Sequence, residues 1–100
     1  GNYQANLWGL VPHMHKRGVS IKTEKVSTTG ALSCMNHVPY WDFNWQWFYF
    51  FDDSVTLLPG EKLKITCEYD TSSDTSQVNF GEETSDEMCL LVVYGTRTPL

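Results

Sequence analysis

The sequence contains no stretch approaching the roughly 18 uncharged apolar residues that a membrane-spanning helix requires, which excludes a helical transmembrane protein. Basic residues are scarce: seven Lys and Arg stand against 12 Asp and Glu, for a formal charge of −5. A nucleic-acid binder needs a basic face to displace counterions from phosphates, and this composition does not supply one. Helical patterning is missing too, since no window repeats apolar side chains at the spacing of one helix face. There is no internal repeat, low-complexity tract or N-glycosylation sequon. Cysteine is limited to three residues, which permit one internal disulfide and one free thiol in three possible pairings. The chain starts at Gly1 rather than methionine, so it is expected to be an excised or processed segment. The lack of a targeting signal therefore excludes no compartment.

What is present points to a packed body. A hydrophobic fraction of 41% is too high for disorder, and 100 residues suit a single domain spanning 1–100. Aromatic residues are the anomaly, because nine of the 14 lie between Tyr40 and Phe51. Lys62 to Tyr69 has the clearest period of two, with Leu63, Ile65, Cys67 and Tyr69 on one face and Lys62, Lys64, Thr66 and Glu68 on the other. It follows Leu58-Pro59-Gly60, where proline and glycine favour a turn. Gly18 to Val26 alternates in the same way. Cys89 to Tyr94 is apolar on both faces, as expected of a central strand. Shorter strands are expected at Asn6 to His15, Ala31 to His37, Trp45 to Phe51 and Val78 to Phe80. Seven or eight short antiparallel strands broken by regular turns predict an all-β chain, a β-sandwich or jelly roll.

Three elements carry chemistry. In Pro12-His13-Met14-His15 an extended backbone projects His13 and His15 to one face and Met14 to the other. Two neighbouring imidazoles are half of a transition-metal site, or an ordinary surface pair. In Ser85-Asp86-Glu87-Met88-Cys89, Met88 sits where an apolar strand begins; it is either core filler or a thioether ligand. Convergence of His13, His15 and Met88 would give an N₂S set, suited to Cu(I) and poorly suited to zinc, calcium or magnesium. Cys67 and Cys89 are either two buried thiols or a disulfide. A bridge would imply an oxidising compartment and contribute about 3 kcal/mol on the chain-entropy model.

The segments His13-Met14-His15-Lys16-Arg17-Gly18, Trp41-Asp42-Phe43-Asn44-Trp45-Gln46, Leu58-Pro59-Gly60-Glu61, Cys67-Glu68-Tyr69-Asp70-Thr71 and Asp86-Glu87-Met88-Cys89 occur in one order. Together, from about Leu7 to Tyr94, they resemble the C-terminal catalytic domain of the copper type II, ascorbate-dependent monooxygenases, the family of dopamine β-monooxygenase and peptidylglycine α-hydroxylating monooxygenase. The Asp-Phe-Asn and Leu-Pro-Gly motifs lean toward the dopamine β-monooxygenase-like branch. The resemblance implies a secreted or secretory-lumen β-sandwich, with a periplasmic location also open. It implies one copper ligated by His13, His15 and Met88, which are then the catalytic residues, and a Cys67–Cys89 disulfide. It further implies O₂, a reductant such as ascorbate, and a small organic or peptide substrate hydroxylated at a C–H bond. In the family a preceding three-histidine copper domain delivers the second electron. Only His37 remains unassigned here, so the chain is expected to be the second half of such a protein with the first domain absent. The alternative is a non-enzymatic module that stores or delivers copper through the same ligands.

Other residues are set beside this site. His37 is either a third imidazole ligand or a bystander, and Cys34, with no family counterpart, is expected to be a free buried thiol. Met14 and Met35 are packing residues. Asp86 and Glu87 either accept hydrogen bonds from the non-ligating histidine nitrogens or are solvated turn carboxylates. Asp70 to Asp74 lacks the glycine and distal glutamate of a calcium loop. Within Tyr40–Phe51 one parity is expected in the core. The other parity either packs as well or forms an exposed patch for substrate, for docking of the second copper domain or for self-association.

Overall fold

The structure, a computed structural model, describes residues 3–100. Six strands are present: β1 (Tyr3–His13), β2 (Gly18–Val26), β3 (Leu32–Val38), β4 (Tyr49–Leu57), β5 (Lys62–Tyr69) and β6 (Leu90–Pro99). They form two three-stranded sheets, ordered β4-β1-β6 and β3-β2-β5, with every pairing antiparallel. The expected all-β sandwich is what the chain adopts. In β5 the alternation holds up to Glu68: Leu63, Ile65 and Cys67 are half-buried and Lys62, Lys64, Thr66 and Glu68 are exposed, whereas Tyr69, expected on the first face, is exposed at the strand end.

The central strand of the first sheet is β1, not the segment after Cys89. β6 pairs with β1 alone, and Val92, Val93 and Tyr94 are substantially exposed. Its doubly apolar pattern arises because its outer face joins an aromatic surface, where Tyr94 packs against Phe48 and Trp8 with ring centroids 4.6 and 5.7 Å away. Pro12 is tolerated in β1 because pairing with β4 ends at Leu10, so its missing N–H removes no ladder bond on that side.

The register of β1 shifts against both neighbours between Leu7 and Gly9, through extra residues of β4 between Phe50 and Val55 on one side and through a one-residue bulge at Trp8 against β6 on the other. The extra residue changes which parity faces inward. Leu7 is buried before it, and Leu10, Pro12 and Met14 are buried after it. The core of Leu7, Leu10, Met14 and, from β2, Ile21 is therefore filled by even positions near the end of β1, and His13 is left on the opposite side. Gly9 is required here because a Cβ would lie 2.5 Å from the Phe48 ring.

Other departures are local. The aromatic segment turns before it extends: Asn44 N–H donates to Asp42 Oδ1 (2.9 Å) and Trp45 N–H to Asp42 O (3.0 Å), an Asx turn that delays β4 until Tyr49. Val78 to Phe80 forms only an isolated bridge, Phe80 to Glu87. Cys34 is a free thiol as expected, but it is exposed on edge strand β3 rather than buried. Cys67 and Cys89 are disulfide-bonded, with Cα atoms 6.0 Å apart. The bond joins β5 of one sheet to the residue before β6 of the other. No helix among the described residues is long and apolar enough to cross a membrane.

Candidate metal centre

His13 closes β1 and His15 lies two residues beyond, on the connection to β2. Their rings meet edge to face with centroids 5.1 Å apart. Met14 between them is completely buried, as the alternation predicts. The connection is tight: a Cβ on Gly18 would lie 2.6 Å from Trp41 Cδ1 and 2.7 Å from Met14 Cε. That close approach lets the Trp41 indole N–H donate to the His15 carbonyl at 3.0 Å.

Each imidazole has one nitrogen already committed. His15, which is 4% exposed, directs Nδ1 at the Asp86 carbonyl oxygen (3.1 Å). A carbonyl can only accept, so Nδ1 carries the proton and Nε2 keeps its lone pair in the neutral ring. His13 Nδ1 lies 2.6 Å from Gln46 Oε1, and Gln46 Nε2 donates to Phe43 O at 3.0 Å. The second bond fixes the amide orientation, so His13 also protonates Nδ1 and leaves Nε2 free. Phe43 packs edge-on against His15 with centroids 5.7 Å apart. Acceptors on the non-ligating nitrogens set tautomer and ring orientation in histidine metal sites.

Met88 is tied to the same place through its backbone. Its N–H donates to Glu87 Oε1 (3.3 Å), the oxygen that also accepts the His15 N–H (2.9 Å). Its carbonyl accepts the Tyr69 hydroxyl at 2.7 Å. Next in the chain is the disulfide-bonded Cys89. Met88 also lines a cavity of about 280 Å³ with Tyr69, Val78, Asn79 and Phe80. Burial, then the nearby Glu87 charge, raises the Tyr69 hydroxyl pKa, keeping it a donor.

The two loops carrying these residues are laced together by Arg17. Its guanidinium pairs with both oxygens of Asp74 (2.8 Å each) and donates to Ser85 O (2.8 Å). The hydrogen bond from Arg17 holds the Asp74 carboxyl below its ordinary range. A depressed folded-state pKa contributes stability above the unfolded aspartate value, about 4, which is lost as pH falls through the lowered folded value. Asp74→Asn is therefore expected to flatten the acid limb of a stability-against-pH curve below about pH 4 and to lower stability at neutral pH. Urea midpoints across that range check it.

Among the remaining sequence candidates, His37 is exposed on β3 of the opposite sheet, opposite Lys22. Asp86 does accept from a histidine ring, but through its backbone carbonyl, and Glu87 is a buried carboxylate that binds backbone N–H groups rather than a solvated one. Asp70 and Asp74 are engaged by Ser72 and Arg17, as turn and ion-pair residues. The aromatic segment divides. Phe48 and Phe50 stack with Trp8 on the outer sheet face, whereas Trp45 and Trp47 stack on each other, exposed, beside Gln46. Gln46 lies in the Trp41–Gln46 motif, but no local pattern marks its role, because its contact with His13 spans 33 positions that local spacing does not connect.

Among the described residues no three His, Cys, Asp or Glu side chains cluster, so a site here would be two imidazoles completed by a different donor. A thioether is a donor of that kind, and its softness fits Cu(I). Comparison with known proteins agrees at the level of the family. Residues 3–98 match the copper type II ascorbate-dependent monooxygenase, C-terminal domain. The chain is 27% identical over 85 residues to human DBH-like monooxygenase protein 1, covering 85% of this chain and 14% of that protein. It is 26% identical over 89 residues to tyramine beta-hydroxylase of Caenorhabditis briggsae, covering 89% and 15%. The chain thus spans about a seventh of the length of these curated relatives, and no solved structure is significantly similar to it. With the match extending over nearly its whole length, the chain belongs to the copper type II ascorbate-dependent monooxygenases, as a C-terminal domain of that family.

Proposed function

We propose that this domain binds one copper through His13 Nε2, His15 Nε2 and the Met88 thioether, and that it forms the O₂-activating half of a monooxygenase acting on a C–H bond. The observation that carries this reading is the paired imidazoles, with both Nδ1 atoms facing acceptors and neither Nε2 hydrogen-bonded among the described residues. Copper held there would supply single-electron chemistry and a reduced centre able to react with O₂. The protein's own contribution is orientation. Gln46 and the Asp86 carbonyl aim the rings, Phe43 shields His15, and Tyr69 fixes the Met88 backbone.

The cavity beside Met88 is bounded by Val78, Phe80 and the Tyr69 ring, so it suits an apolar or aromatic portion of an organic or peptide substrate. A mononuclear site supplies one electron, so turnover draws on ascorbate or another reductant and on the family's other copper domain. The exposed Trp45–Trp47 pair beside the histidines suits the seam with that domain. The disulfide fits an oxidising location, the secretory lumen, extracellular space or periplasm.

The test is X-ray absorption of the Cu(I)-loaded protein, followed by ascorbate-driven O₂ consumption with the partner copper domain supplied in trans. A sulfur scatterer beside about two imidazoles is expected, together with hydroxylated product in step with O₂ uptake. Copper bound with that ligand set but no product formed even with the partner domain would favour a storage or delivery module instead. Failure to retain copper would sink both.

A further inference from the structure

We infer that Glu87 is the positioning residue that sets the spacing between the two halves of the donor set. The inference rests on the metal-site reading proposed above. Glu87 is 8% exposed, and its carboxylate forms only a long ion pair, Oε2 standing 3.9 Å from the Arg17 guanidinium. It is satisfied by backbone. Oε1 accepts the N–H of His15 (2.9 Å) and the N–H of Met88 (3.3 Å), and Oε2 accepts the N–H of Arg17 (2.9 Å). One oxygen is thus shared by the main chains of a histidine and a methionine that the sequence separates by most of its length. The residue itself is held at both backbone ends, its N–H donating to Asn79 O (2.9 Å) and its carbonyl accepting from Gly81 N–H (3.2 Å).

The chemistry demands a carboxylate of this length. Three N–H groups converge, and a carboxylate offers two acceptor oxygens with about four lone-pair sites. Glutamine of the same shape offers one acceptor oxygen and would turn an NH₂ group against an N–H donor. Burial makes that mismatch costly, because each unpaired donor loses its solvation without replacement. Aspartate keeps both oxygens but is one methylene short. With the carboxylate lost, the His15 and Met88 main chains lose their shared acceptor, the loops stay coupled only through Arg17 to Ser85 and the His15 ring to Asp86, and the separation at which thioether and imidazoles would meet one ion is no longer fixed.

The test compares Cu(I) X-ray absorption and Cu(I) affinity of the wild type, Glu87→Gln and the core variant Leu10→Ala, with thermal unfolding of each metal-free protein. In Glu87→Gln the sulfur scatterer is expected to disappear while the imidazole signal remains, and affinity is expected to fall roughly 10- to 100-fold, as for other supporting residues of metal sites. Leu10→Ala, a destabilising change in the core, is expected to keep the sulfur signal, which separates positioning from stability. A sulfur signal unchanged in Glu87→Gln overturns the role of Glu87 and leaves the metal site standing. A wild type without sulfur overturns the metal site, and this inference with it. Amide hydrogen exchange of the metal-free wild type gives a readout that does not depend on any variant folding. The His15, Arg17 and Met88 N–H groups are expected to be protected to the same degree, and free exchange at His15 with Met88 protected would overturn the inference.

Discussion

Replacing His15 with alanine is expected to abolish stable Cu(I) binding, with a loss greater than the roughly 10- to 100-fold seen when only a supporting residue of a metal site is removed. Its ring is buried, oriented by the Asp86 carbonyl at 3.1 Å and packed on Phe43, so no other described side chain is poised to take its place. Met88→Ala is expected to act differently. With the proposed thioether ligand gone and the two imidazoles left, Cu(II) binding is expected to survive better than Cu(I) binding, and the ratio of the two affinities to shift toward the oxidised ion. Competition with a chromogenic Cu(I) chelator, paired with electron paramagnetic resonance of the Cu(II) form, measures both. Equal losses for the two oxidation states in Met88→Ala would remove the thioether from the ligand set. His37→Ala, on the far sheet and exposed, is expected to change neither affinity.

Breaking the disulfide is expected to have the largest effect on stability. Cys67 and Cys89 close a loop across 22 positions, and removing a native bridge from a domain this small costs about 2–5 kcal/mol. The rest of the structure argues for the upper half of that range. Few large apolar side chains are fully buried, with Leu10, Met14 and Ile21 the main ones, and much of β4 and β6 is exposed. A thin core leaves the two sheets dependent on covalent joining. The bridge also anchors the turn carrying Met88, so Cys67→Ser with Cys89→Ser is expected to lower both the denaturant midpoint and Cu(I) affinity. Urea unfolding of the metal-free forms isolates the first effect and chelator competition the second. An unchanged midpoint would mean that noncovalent packing alone holds the sheets together.

The β-sandwich is legible in the residue pattern itself, whereas the Cys67–Cys89 pairing is legible only through the family resemblance. Strands such as β2 and β5 declare themselves because a half-buried strand must alternate, and the alternation is written in consecutive residues. The His13–His15 pair was visible for the same reason, since extended backbone places i and i+2 together. Expectations depart from the structure where distant segments meet. The bulge at Trp8 sets which parity of β1 faces inward, and no count of apolar residues announces a bulge. The apolar run after Cys89 reads as central but lies at an edge, because Trp8 of β1 and Phe48, just before β4, share its outer face. Cys34 looked like core and is exposed, because β3 is also an edge strand.

The sequence by itself determined the fold class and the family and singled out His13, His15 and Met88 as candidates, because these readings depend on short-range periodicity, side-chain softness and motifs in a fixed order. Only the tertiary structure decided how those residues are held. Gln46 on His13, the Asp86 carbonyl on His15, Tyr69 on Met88 and the carboxylate of Glu87 between the two loops all reach across 19 to 72 positions or act through backbone atoms. A hydrogen bond to a main-chain N–H or carbonyl leaves no mark on the identity of the residue that provides it. Such contacts exist only once the two sheets have closed on each other.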